Sequence, residues 1–181
     1  MKFGKRTISS ISVGGLVCSG KTTLANLLAK EFGWTHINSG ERVRALVQES
    51  GLPIEKFGSL DDIALRNVDD KITREMAAKD LCIWEGRLTP WLSRQFPNYL
   101  RIYCVASQDV RAHRYAKRED IDITKVSQLI HKREEEEANV FNRLYGLTDL
   151  LASSALDLTL DTSKRTADLL LSEIQSRLYS D

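Results

Sequence analysis

No apolar run in these 181 residues approaches the length that crosses a bilayer, which excludes a membrane-spanning helix. The opening stretch MKFGKRTISSISVGG is basic without a long apolar segment. It reads as neither signal peptide nor anchor, and a cytoplasmic protein is expected. Cysteine is scarce. Cys18, Cys82 and Cys104 are odd in number, far apart and without a C-x-x-C pair, which fits neither a zinc site nor a disulfide framework. His36, His113 and His131 form no ligand pattern either. An excess of one sign of charge is missing too: 26 Lys and Arg face 25 Asp and Glu, a net charge of +1. A binder of nucleic acid polymers normally carries a basic surplus, so that class gains no support. Repeats, linkers and low-complexity segments are absent.

What is present is an alternation of short apolar runs and helical patterns. TISSISVGG reads as a strand entering a glycine turn, followed by Leu24, Leu27, Leu28 and Phe32 at helical spacing and a stop at Gly33. THIN is a second strand. GERVRALVQESG is a helix ended by Gly51, with Pro53 just beyond. Ser59 with Asp62 reads as a helix cap, and the helix to about Lys79 carries Ile63, Val68, Ile72 and Met76 as its stripe. LCIWEGR and LRIYCVAS are strands three and four. Ser107 caps a helix to about Arg118, and a long charged helix runs from Thr124 to Tyr145 and stops at Gly146. ALDLTLDTS is a fifth strand. The last helix, after Thr162 or Ser163, buries Ala167, Leu170, Leu171, Ile174 and Leu178. This order implies one α/β domain over residues 1–181, a five-stranded parallel sheet with helices on both faces. On such a sheet ligands bind at the carboxyl ends of the strands.

Gly15 to Thr22, GLVCSGKT, fits G-x-x-x-x-G-K-[ST] between a strand and a helix. Glycines at Gly15 and Gly20 let the chain turn so that amides of the loop, Ser19 among them, face phosphate oxygens. The helix that follows, beginning Lys21-Thr22-Thr23, adds its positive end. Lys21 can reach the outer phosphates of ATP, and the Thr22 hydroxyl can ligate Mg2+. Cys18 reads as a small spacer in this loop.

The D-x-x-G and N-K-x-D motifs of GTPases do not occur, and strand three ends in Glu85 rather than the aspartate of motor and transporter ATPases. A compact kinase remains. Ser39 and Arg44 follow strand two and Arg87 follows strand three; two arginines across one crevice suit an acceptor that already carries a phosphate. Arg114, Arg118 and Arg133 lie in a charge-rich helical segment, about 114–145, that reads as a lid closing over the phosphates to exclude water.

These residues together resemble a known family. SGKTTLANLLAKEFG, HINSGERVRALVQESGLPIEKF, EGRLTPWL, YCVASQDVRAHRYAKRE, KREEEEA, YGL and LDLTLDTS, in this order, are similar to the cytidylate kinases, in particular the short archaeal-type ones. The resemblance implies a three-layer P-loop kinase fold with a helical lid, ATP and Mg2+ as partners, and a nucleoside monophosphate as acceptor. It implies that Arg44 and Arg87 hold the acceptor phosphate, that Ser39 lies near the acceptor, and that Asp70, in the acceptor-binding region of about 40–80, faces it. A monomer is expected. Two departures stand out: Asn139 and Val140 occupy positions where the family carries arginine, and the helix around Thr73 differs where the family tends to glutamine.

The expected reaction is in-line phosphoryl transfer in which Lys21, Arg87 and Arg133 are the catalytic groups. Gly15, Ser19, Gly20, Thr22, Thr23, Arg114 and Arg118 join Lys21 in holding ATP. Glu85 lies at the acceptor side and orients a water on Mg2+. Two alternatives stay open: a kinase for another nucleotide or a small phosphorylated metabolite, and a non-catalytic ATP-binding module.

Overall fold

In the computed structural model the described residues are 1–52, 54–152 and 155–179; Pro53 lies outside them. The chain opens with a small hairpin of β1 (Lys2–Phe3) and β2 (Arg6–Thr7), which the sequence pattern does not announce. The main strands are β3 (Ser10–Gly15), β4 (Thr35–Asn38), β5 (Cys82–Glu85), β6 (Tyr99–Val105) and β7 (Leu158–Asp161). They form one five-stranded sheet in the order β4-β5-β3-β6-β7, with every pairing parallel. The expected sheet is therefore the observed one.

The strand alternation divides the core. Ile11 and Val13 of β3, Ile83 of β5, and Leu100, Ile102 and Cys104 of β6 face α1 (Lys21–Phe32) and α7 (Ala167–Tyr179). Cys82, Trp84, Tyr99 and Tyr103 face the other way, toward α3 (Asp62–Ala78) and the short α4 (Thr89–Leu92). Burial on both faces is what a parallel sheet between helical layers requires. The centre of β3 carries small residues on the α4 side. A Cβ at Gly14 would lie 2.7 Å from Pro90 Cγ and 2.9 Å from Tyr103 Cδ2, so the glycine is what lets α4 approach.

The remaining helices are α2 (Gly40–Glu49), α5 (Gln108–Glu119) and α6 (Ile123–Tyr145), the last two forming a helical pair over one end of the sheet. Gly33 and Gly146 stop α1 and α6 in the left-handed conformation, at φ +67° and +64°, where a Cβ is strained. Ser107 caps α5 by accepting from the Val110 amide at 3.4 Å.

Three expectations need correction. The cap of α3 is Asp61, which accepts from the Ile63 and Ala64 amides at 2.9 and 3.0 Å; Ser59 ends the preceding 3-10 turn. Ile63 is 68% exposed, because nine residues separate it from Ile72 and a helix turns about half a revolution out of phase over that interval. The buried residues of α3 are Leu65, Ile72 and Met76. Finally, α7 begins at Ala167, later than Ser163, with the Thr166 hydroxyl accepting from the Leu169 amide, and Ala167 itself is only half-buried.

Candidate active site

Two clefts meet at the loop between β3 and α1. The larger, of 510 Å3, reaches from Lys21 and Thr22 past Ser39, Arg44 and Arg87 to α3 and α6. The smaller, of 380 Å3, lies between Gly20, Thr23, Arg114, Arg118, Thr162 and Arg165. Cys18, Lys21, Thr22 and Arg118 line both. Among them are Lys21 and Thr22, which the motif assigns to phosphate and metal, at the carboxyl end of the central strand.

The loop geometry follows from its glycines. Gly20 sits at φ +86° immediately before α1. A Cβ on Gly15 would collide with Ser19 Oγ and lie 2.7 Å from the Cys104 carbonyl oxygen. Ser19 is fully buried, and its hydroxyl has no hydrogen-bond partner among the described residues. Lys21 Nζ donates to the Leu16 carbonyl at 3.3 Å. Burial, and after it the Arg87 guanidinium, lowers the Lys21 ammonium below its ordinary value. A desolvated cation with one neutral partner is poised for an anion.

Glu85 ends β5 beside the loop. The Thr22 hydroxyl donates to its Oε1 at 2.5 Å, and His36 Nε2 lies 3.0 Å from its Oε2. Burial alone would raise this carboxyl; the contacts from His36 and Thr22 outweigh it, so it lies below its ordinary value. Thr22 spends its proton on Glu85 and keeps oxygen lone pairs for a cation. No cluster of three or more His, Cys, Asp or Glu able to hold a metal occurs among the described residues. An oxygen donor set of one hydroxyl and one nearby carboxylate fits Mg2+, which takes few protein ligands and shares phosphate oxygens and water.

In the larger cleft, Arg87 is held 3.0 Å from Glu137 Oε2 and 3.6 Å from Glu134 Oε1, both on α6. Arg133 Nε donates to Glu137 Oε1 at 3.2 Å. Arg44 is half-exposed, 3.9 Å from Glu41, and lines the larger cleft. Ser39 is buried with its hydroxyl unpartnered among the described residues, while its amide donates to the Glu85 carbonyl oxygen at 2.7 Å. Asp70 is exposed and lines neither cleft; helical phase turns Asp69, between Leu65 and Ile72, toward the larger one instead.

Of the charged helical segment, Arg114 does not stand free. It donates to the Cys18 carbonyl at 3.3 Å, to Thr162 Oγ1 at 2.9 Å and to the Thr162 carbonyl at 2.8 Å, tying the loop to the end of β7. Arg118 pairs with Glu119 at 2.7 Å and stacks on Tyr115 at 5.1 Å. Asn139 is exposed, and Val140 is buried with Val47, Phe57, Leu65 and Leu144. The position where the resemblance leads one to look for arginine thus serves an apolar wall.

Sequence reasoning missed His36, Asp69, Arg111, Glu134, Glu137 and Thr162. Asp69 was detectable as the one carboxylate at the i+4 and i−3 positions of the Leu65 and Ile72 stripe. The others depend on contacts far apart in sequence.

Comparison with known proteins now settles the lineage. A sequence model described as the cytidylate kinase-like family matches residues 10–164. The chain belongs to the cytidylate kinase-like family. A cytidylate kinase of Methanopyrus kandleri is 35% identical over 173 residues, covering 87% of this chain and 86% of that one. Another, from Pyrococcus abyssi, is 36% identical over 157 residues, covering 85% and 84%. Among solved structures, a gluconokinase from Sinorhizobium meliloti superposes with a TM-score of 0.63 at 18% identity, over 96% of this chain and 93% of that one. At that identity the likeness concerns the fold, which is that of the P-loop kinases. No helix among the described residues is long and apolar enough to cross a membrane.

Proposed function

We propose that this member of the cytidylate kinase-like family, a nucleoside monophosphate kinase, moves the outer phosphoryl group of ATP to CMP or dCMP, releasing ADP and the nucleoside diphosphate. The observation that carries the reading is the junction of two clefts at Lys21 and Thr22. One cleft is taken as the donor side and the other as the acceptor side, so that donor and acceptor phosphates face each other across the loop.

Each role then follows from local chemistry. Loop amides and Lys21 hold the donor phosphates; Arg114 keeps the loop against Thr162. Arg87 and Arg44 hold the acceptor phosphate. Arg133 closes over the transferring group, where a guanidinium in a water-poor site offsets developing charge. Thr22, with Glu85 behind it, would hold Mg2+, which would neutralise phosphate charge. The acceptor phosphate oxygen is ionised near neutral pH, so no general base is required, and Glu85 serves as an orienting group. Residues 114–145 act as the lid.

ADP formation from magnesium-ATP, measured with CMP, dCMP, UMP, AMP, GMP and dTMP and without acceptor, tests the proposal. Selectivity for CMP or dCMP supports it. A second reading, a different nucleotide or a phosphorylated metabolite as acceptor, draws on Val140, whose apolar packing stands where the resemblance leads one to look for a lid arginine. Turnover only with another acceptor would favour it.

A further inference from the structure

Three consecutive carbonyl groups of the phosphate loop are each held by a side chain from outside it. Arg111 donates to the Val17 oxygen at 3.3 Å, Arg114 to the Cys18 oxygen at 3.3 Å, and the Thr162 hydroxyl to the Ser19 oxygen at 2.8 Å. Arg111 and Arg114 lie one turn apart on α5, and Thr162 directly follows β7. Thr162 is buried, and its amide donates to the Val105 carbonyl oxygen at the end of β6, at 2.9 Å, so the sheet carries its hydroxyl. Arg114 also donates to Thr162 Oγ1, at 2.9 Å. A guanidinium only donates, so the hydroxyl keeps its own proton for Ser19.

In a trans peptide the carbonyl and the following N–H point in opposite directions, and the described residues hold no cis peptide bond. Anchoring a carbonyl therefore aims the next amide. The Leu16–Val17 peptide shows the result. Its carbonyl accepts from Lys21, and its N–H, on the other side, meets an anion, the Glu134 carboxylate, at 3.0 Å. The Ser19 amide instead closes the turn on the Leu16 oxygen at 3.1 Å. The Ser19–Gly20 peptide depends most on its anchor. Gly20 sits at φ +86°, and a glycine turns its backbone either way with little steric cost. Turned over, that peptide would offer phosphate a carbonyl oxygen in place of an N–H.

We propose that Thr162, held by Arg114, is a positioning residue for phosphoryl transfer: it fixes the Ser19–Gly20 peptide with its N–H toward the donor phosphates before ATP arrives. This deepens the kinase reading above and rests on it. A cradle fixed in advance spares the nucleotide the cost of ordering it. Thr162 lines the smaller cleft, taken here as the donor side, and not the larger, so the effect falls on ATP.

Thr162→Val keeps the shape and removes the hydroxyl, whereas Thr162→Ser keeps the hydroxyl. In Thr162→Val the calorimetric Kd for ADP and the KM for ATP should each rise about tenfold, with KM for CMP changed by less than about twofold. Thr162→Ser should restore ADP binding nearly to the wild-type level. A second probe needs no mutant: in 15N-labelled wild-type protein the Gly20 amide proton should move downfield as ADP is added. The inference is overturned if folded Thr162→Val binds ADP as wild type does, or if Thr162→Ser is as weak as Thr162→Val. It is equally overturned if KM for CMP rises as much as KM for ATP, or if the Gly20 amide resonance does not move. ADP binding is measured without an acceptor, so failure of the kinase reading is a separate outcome, seen as no turnover with any monophosphate in the panel.

Discussion

Thr22 Oγ1 and Glu85 Oε1 lie 2.5 Å apart, joining the first turn of α1 to the end of β5 across 63 positions of sequence. The parallel register that sets Asn38 beside Glu85, and Val13 beside Glu85 on the other side, fixes where this carboxylate emerges. His36, two residues before Asn38 on β4, then holds its second oxygen. The phosphate loop is therefore oriented by a residue that no phosphate-loop motif contains.

The first prediction concerns that carboxylate. Glu85→Gln keeps the shape but removes the charge that draws the Thr22 proton. A hydrogen bond to a charged group contributes about 1.5–3 kcal/mol, so turnover should fall roughly ten- to a hundredfold. The requirement for Mg2+ should move to higher concentration, read by titrating the metal at saturating ATP. An unchanged Mg2+ dependence with wild-type turnover would show that Glu85 does not orient the metal side.

Lys21 gives the second. Its ammonium is desolvated first and repelled by Arg87 second, so in the absence of an anion it is a strained group. Lys21→Met should remove turnover by two orders of magnitude or more while leaving thermal stability without ligand equal to or above wild type. Measuring both on one preparation is decisive: an inactive but destabilised variant would mean that Lys21 is a structural cation.

Glu134 supplies the third. Its Oε1 accepts from the Val17 amide at 3.0 Å and from Arg111 at 2.6 Å, linking α6 to the phosphate loop and to α5. The Arg111 side chain is 9% exposed, so losing the carboxylate strands a buried cation. Glu134→Ala should lower the unfolding free energy by about 3 kcal/mol or more, measured by urea denaturation. Glu135→Ala, at the exposed neighbouring position, should change it by less than about 0.5 kcal/mol. Equal effects from both would show that the link contributes nothing.

The sheet and the phosphate loop were legible because they rest on local pattern: the apolar runs of β3, β5 and β6, and the fixed spacing from Gly15 to Thr22. Helix ends marked by Gly33 and Gly146 were legible for the same reason, since only the conformation of one residue is at stake. The partners of the site arginines were not. Arg87 meets Glu134 and Glu137 some fifty residues away, and nothing local distinguishes those carboxylates from Glu135 beside them. Asp70 was named from the family resemblance alone, and two adjacent carboxylates, Asp69 and Asp70, carry no phase of their own. Only the buried neighbours Leu65 and Ile72 say which one faces inward.

The last prediction is a pH dependence outside the clefts. Glu75 on α3 receives both terminal nitrogens of Arg42 on α2, each at 2.8 Å, and Lys79 at 3.2 Å. The Arg42 fork comes first among the causes that bring its carboxyl down from an ordinary 4.5 to about 2; burial opposes, and Lys79 adds to the lowering. A carboxyl with a lower value in the fold than in the unfolded chain stabilises the fold when ionised. That contribution is complete above about pH 5 and is lost as pH falls through about 2, because the unfolded chain takes up its proton first. The wild type should therefore exceed Glu75→Gln in stability at pH 7, and the gap should narrow steadily from pH 5 to pH 2.5. Denaturant titrations of both proteins at pH 7, 4 and 2.5 measure it. A gap that stays constant across that range would mean that Arg42 holds Glu75 by shape and not by charge. The bond between α2 and α3, which supply Arg44 and Asp69 to the lining of the larger cleft, would then be insensitive to acid.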